Sequence, residues 1–364
     1  MRLGRSQKPE ASSQKMARVM FGFAAAVLLF MSGGCGEKAG VIFPVVANGP
    51  KWPPPPDEPR IFYVGKLETD LDLKPEVSGM DALGQAIFGK KEARSMLSPM
   101  AVCVDGERLF VADSNAQAVH SFDMETRKYV LIKTPKKAPQ LTQPVGVAYD
   151  AVGKRLLVSD PVHAAIFVFD REGGYRGQLG AGVLKRPVGL AVHARDGRIF
   201  VADSAAHEVV IFNTGGEVIQ RLGKRGNGPG EFNFPTYLAV DAEGGLVVSD
   251  SLNFRVQLFD AAMKHVRSIG KKGDMPGYFA QPKGVAVSAA GHVYIVDSQF
   301  ENIQVYDRGG NVLMDLGEEG HGPGQFWLPA GICIDFRDRI WVADSYNRRI
   351  QVFDYRAARA ETQP

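Results

Sequence analysis

An all-β, six-bladed β-propeller is the fold predicted for this 364-residue chain, on three observations. An apolar run ending in aspartate recurs six times, at Asp113, Asp160, Asp203, Asp250, Asp297 and Asp344, with spacings of 47, 43, 47, 47 and 47 residues. A proline opens every copy, at Pro99, Pro144, Pro187, Pro235, Pro282 and Pro329. Each complete copy divides into four runs of strand length, punctuated by Gly, Asp, Asn and Ser and without a 3.6-residue period. A unit of this length must stack on its neighbours to bury itself, and four antiparallel strands per unit make a propeller blade.

Residues 1–34 read as an export signal. Arg2, Arg5, Lys8, Lys15 and Arg18 precede an apolar run from Val19 to Met31. That run falls short of the ~20 residues a spanning helix needs and suits the core of a secretory signal. Ser32-Gly-Gly-Cys35 follows, and small residues before a cysteine resemble a bacterial lipobox. The resemblance implies a diacylated Cys35 and a chain anchored to a bacterial membrane, in the periplasm or at the cell surface. Ser32 departs from the leucine usual at that place, and the rival cleavage, after Val45-Val46-Ala47, lies far beyond the apolar run. Met16 competes with Met1 as the start. Five Lys/Arg and one Glu fall in the first 34 residues, so the formal charge of +3 becomes −1 over the remainder, with 38 basic and 39 acidic side chains. Such interspersed charge gives no electrostatic case for nucleic acid.

Residues 35–59 read as a tether. Trp52-Pro53-Pro54-Pro55-Pro56 favours an extended, semi-rigid spacer over a motif for an aromatic-lined groove. Arg60-Ile-Phe-Tyr-Val-Gly65 is a strand-like run standing alone, while the sixth copy stops after its third strand, at Asp354. The chain therefore predicts residues 60–66 as the outer strand of the last blade, which protects an open edge and closes a propeller over 60–354. A polar tail, 355–364, remains. One short helix is expected within 79–95.

The fourth copy illustrates the blade. Tyr237–Val240 and Leu246–Val248 are apolar, as strands covered on both faces should be. Asp241–Gly245 and Asp250–Asn253 make turns, Val256–Phe259 is the third strand, and His265–Gly270 alternates as an outer strand would. The opening proline's missing donor lies outside the ladder. These units resemble NHL repeats, most closely at Pro329–Asp354 and Pro235–Asp260, where Asn347, Arg349, Ile350, Gln351, Val352 and Phe353 fill the last part of the motif. The first three copies depart from it, with Ala118, Ala165 and Glu208 in place of Arg255 and Arg349. WD40 repeats are disfavoured because no Gly-His and Trp-Asp pairing recurs.

Most repeated features read as structural. The six aspartates are expected to cap the turns that follow them rather than ring a metal. The loops Gly226–Phe232, Gly273–Phe279 and Gly320–Phe326 are expected as tight inter-blade turns anchored by phenylalanine, not phosphate cradles, since no Gly-Lys-Ser/Thr follows. Cys103 and Cys333 occupy equivalent places on the first and last inner strands, where other copies carry alanine, and read as buried thiols rather than a disulfide. A known NHL-like relative, the peptidyl-hydroxyglycine amidating lyase, holds zinc through histidines around its channel. Here His163, His207 and His321 fall at non-equivalent upper loop positions, His193, His265 and His292 near the opposite end, and His120 in a third strand, so no three-ligand metal site or cofactor is expected.

The face carrying the Asp-Ser loops surrounds the channel mouth. Two places after the opening proline, five blades have Gly or Ala and the fourth has Tyr237. Arg186, Phe234 and Lys283 share that rim, and the Asp-Ser loops add Phe254, Phe300 and Tyr346. Aromatic and basic residues on loops of a rigid frame make a candidate binding face. The expected function is a non-enzymatic platform for an envelope protein or small ligand, with a metal-dependent hydrolase or lyase at the mouth as the alternative.

Overall fold

The computed structural model describes residues 38–89 and 92–356, so the expected signal, Cys35 and the tail from 357 lie outside the described residues. The described residues divide into two compact units, a larger one over 42–73 and 93–356 and a smaller one over 38–41, 74–89 and 92.

The larger unit holds six antiparallel sheets, five of four strands and one of five. Blade four runs Pro235–Val240, Leu246–Asp250, Arg255–Phe259 and His265–Ile269 from the channel outward. Second strands such as Ile199–Asp203 and Leu246–Asp250 are buried along their whole length. The outer strand Val218–Leu222 is largely exposed. Apolar sequence thus sorts by layer, with clusters such as Phe200, Ile211, Phe232, Leu238 and Val248 filling the gap between blades three and four.

Closure follows the expected route, one residue displaced. Ile61–Leu67 pairs antiparallel with Arg349–Tyr355, matching Ile61 to Tyr355 and Leu67 to Ile350. The register shift at Tyr63/Gly65 occupies the place of the irregularity between third and fourth strands in blades three, four and five. The N-terminal strand therefore reproduces the geometry of a native outer strand.

The segment expected to be a free spacer is instead docked from residue 42. Lys51–Trp52 adds a fifth strand to the last blade, pairing with Ile61 and Phe62. Trp52 stands edge-on to Phe353 at 5.7 Å between ring centroids, and a Cβ on Gly324 would lie 2.5 Å from the indole. Phe43 packs edge-on to Trp341 at 6.0 Å. Burial of these aromatics outweighs the tendency of a proline run to stand free in water.

In the smaller unit a helix spans Gly79–Phe88, with the Ser78 side chain accepting from the Asp81 amide as N-cap. It is shorter than the expected span because Gly89, at φ 86°, ends it. Met80, Ile87 and Phe88 are exposed.

Candidate ligand site at the channel mouth

The upper rim is built by the six repeated aspartates, all fully buried. Each binds the loop entering its own blade as well as, in most blades, the turn leaving it. Asp113 accepts from the amides of Leu97 at 2.6 Å, Ser98 at 2.9 Å and Ala116 at 3.0 Å. Asp203 accepts from Lys185 and Arg186, and Asp297 from Ala280, Gln281, Gln299 and Phe300. Turn capping is thus half of the role, and the other half fixes the residues just before each opening proline.

The Gly-rich loops are secured from beneath. Phe232, Phe279 and Phe326 are fully buried. Gln351 accepts from the Gly324 amide and donates to the Gln325 carbonyl, while Arg349 donates to the carbonyls of His321, Gly322 and Gln325 and to Asp344. Gln257 and Arg255 repeat the pattern in blade four. Blade five has Gln304 but Asn302 in the arginine's place, and the Asn302 side-chain oxygen is buried without a partner. In blade one His120 replaces the glutamine and lies between Asp113 (3.2 Å) and the Tyr129 hydroxyl (2.9 Å).

Tyr237 departs from the expected display. It is only 9% exposed and its hydroxyl donates to the Met100 carbonyl of blade one at 2.9 Å, so the side chain crosses the channel. Equivalent glycines explain why the ring cannot lie back on its neighbour: a Cβ at Gly284 would meet the Ala330 carbonyl oxygen at 2.4 Å, and one at Gly331 the Met100 oxygen at 2.7 Å. Burial raises the phenol's pKa above its usual value. Tyr237 therefore acts as a floor.

Above it lies a cleft of about 460 Å³, to which Arg186, Phe234, Tyr237 and Lys283 all contribute. Phe234 packs edge-on to His207 at 4.4 Å and donates its amide to that imidazole. Lys283 is half-buried, and burial lowers its ammonium's pKa against the opposing pull of Asp297. Phe254, half-buried beneath the Lys272 ammonium at 5.2 Å, does not line the cleft, and neither do half-buried Phe300 or exposed Tyr346. Tyr346 pairs instead with exposed Trp327 at 5.4 Å. Sequence reasoning omitted Thr236, Ser251, Leu252 and Gln281 from the lining. Their signal was their adjacency to the opening prolines and the Asp-Ser loops.

The upper histidines are separately engaged, His163 by Thr142 and the Gln140 carbonyl, and His321 by Asn347. Among the described residues no group of three or more His, Cys, Asp or Glu side chains could hold a metal ion. Cys103 and Cys333 are free thiols, both with pKa raised by burial.

Residues 190–248 match a family described as a six-bladed β-propeller, DUF5128, and residues 326–353 match the NHL repeat. No curated protein sequence matches the chain. Among solved structures, an auxiliary nutrient binding protein from Bacteroides thetaiotaomicron superposes with TM-score 0.56 at 14% identity, covering 72% of this chain and 70% of its own. Virginiamycin B lyase from Staphylococcus aureus superposes with TM-score 0.52 at 12% identity, covering 71% and 95%. A nidogen/laminin complex gives TM-score 0.50 at 17% identity, covering 66% and 88%. At these identities the likeness is one of fold. With six blades, their shared buried aspartates and the matched repeat, the chain is a six-bladed β-propeller whose last blade is an NHL repeat.

Proposed function

We propose that this chain is an exported, lipid-anchored propeller acting as a non-enzymatic binding platform, with the channel mouth as the surface that engages an envelope protein or small ligand. The observation carrying this reading is the contrast within the upper face. Loop carbonyls and many basic side chains there are lashed into the frame, as at Arg255 and Arg349. Arg186 and Lys283, in contrast, reach the mouth cleft with side chains that make no hydrogen bond or ion pair to any described residue. Such groups on a rigid frame are available to a partner. The nutrient-binding and complex-forming propellers of similar fold support a binding role, and the sequence before Cys35 supports export and anchoring.

Mild-detergent purification from native membranes, followed by intact-mass analysis of everything eluted, tests both parts. An acylated Cys35 and a stoichiometric companion lost from a Thr236→Trp variant, whose indole fills the cleft, are expected. A chain beginning after Ala47 would remove the anchor. A companion-free protein carrying a stoichiometric metal would move the reading to a lyase or hydrolase.

A further inference from the structure

We propose that the channel-mouth cleft takes a small amphipathic organic anion, its acid head drawn by Lys283 and Arg186 and its apolar body against Phe234, Val188 and Leu252. This names the ligand class and rests on the mouth being the binding site.

The charge of the lining favours an anion. The lining contains two basic side chains and no carboxylate. Asp297, the acid whose field reaches Lys283, already accepts from four backbone amides. A half-buried ammonium without a hydrogen-bond partner among the described residues is best completed by an incoming anion. The cleft around Gly153–Gly216, about 570 Å³, differs in this respect. There Asp170 places a carboxylate in the lining, Arg155 and Arg176 are engaged by Asp150 and Asp170, and the remaining cation, Lys154, is exposed to water rather than half-buried.

The neutral polar groups direct recognition the same way. Ser251 donates its hydroxyl proton to the Pro282 carbonyl at 2.7 Å, so at 2.6 Å it must accept from Thr236. Both of these hydroxyl protons are thereby spent within the frame, so neither competes with Lys283 and Arg186 for the head, while Gln143, Ser204 and Gln281 add neutral donors to the lining. The body has apolar wall to meet, including Phe234, half-buried, and Leu252, 52% exposed. Tyr237 closes the floor, so the ligand stops at the mouth instead of threading the channel. The volume suits a small metabolite-sized molecule.

Isothermal titration of the full-length protein in a neutral detergent with benzoate, phenyl phosphate, benzylamine and benzyl alcohol tests this. These probes share a ring and differ in the head, and the first two separate carboxylate from phosphate. At least one of the two anions should bind about tenfold more tightly than benzylamine or benzyl alcohol, the scale of one charge-assisted contact. Lys283→Gln should weaken it about tenfold, and Lys283→Arg, which keeps the charge, should retain it. Benzyl alcohol binding as well as the anions, no binding by any probe, or indifference to Lys283→Gln would each overturn the anion assignment. Benzylamine binding best, and being lost in Thr236→Trp, would overturn the ligand class while leaving the mouth as the site. Probe binding unchanged in Thr236→Trp would overturn the mouth itself.

Discussion

Replacing Arg349 with asparagine, the residue blade five carries naturally at this place, should be among the most destabilising single changes on the upper face. The guanidinium is 3% exposed and donates to Asp344 at 2.7 Å and to the carbonyls of His321, Gly322 and Gln325 at 2.7–2.9 Å. Its removal leaves the fully buried Asp344 carboxylate without its countercharge, held only by the Trp327 amide, Asn347 and Gln351, and takes their donor from the His321 and Gly322 carbonyls. Losing one partner of a buried pair costs about 3–5 kcal/mol. With an unfolding entropy of ~2.1 cal/mol/K per residue over roughly 300 residues, that lowers Tm by about 5–8 °C. Burial already pushes the Asp344 carboxyl upward against the Trp327 amide, Asn347 and Arg349. Without the guanidinium it can relieve itself by taking a proton, so the deficit should shrink between pH 8 and pH 5. Calorimetry at both pH values is the assay, with Arg176→Ala as the control, since that side chain is 66% exposed and its ion pair is worth little. A loss no larger than the control's would refute the reasoning.

Three other changes follow from the same geometry. Tyr237→Phe removes the bond across the channel and leaves the Met100 carbonyl short of a donor, lowering stability by ~1–2 kcal/mol in denaturant titrations. Trp52→Ala should cost ~2–4 kcal/mol because the indole is packed over Gly324 and against Phe353, whereas a free spacer would lose nothing measurable by calorimetry. Asp113 is fully buried, which alone would raise its pKa, but His120 and the amides of Leu97 and Ala116 hold it below the usual 3.8. Its folded value being depressed, its contribution is present above about pH 4 and lost as pH falls below that. Asp113→Asn should therefore show a smaller loss of Tm than the natural protein between pH 5 and pH 3.

The fold was legible because its signals are local and repeated six times: the strand lengths, the turn residues and the aspartates. Closure was legible by strand counting, since Arg60–Gly65 lacked a partner and the last blade lacked a strand. The aspartates were half legible. Their bonds to following turns obey a short-range rule, but the amides they hold before the opening prolines lie 15–18 residues upstream. Trp52 belongs to the same class of miss, because its proline neighbours signal a spacer and its seat on Gly324 exists only in three dimensions. Tyr237 stood out as the exception to a Gly/Ala position, yet only the packed inner strands reveal that its one way out is across the channel. At the mouth, sequence placed Arg186, Phe234 and Lys283 on one rim. It also gathered Phe254, Phe300 and Tyr346, which share the face but not the cleft.

Site-specific photocrosslinking in native cells tests most directly the claim that the upper face is the binding surface. A photoreactive residue at Leu252, 52% exposed beside the cleft, is compared with one at Phe336, 70% exposed on the opposite turn of blade six. Adducts from position 252 that vanish with Thr236→Trp, and none from position 336, are the predicted result. Adducts from position 336 alone would contradict the account.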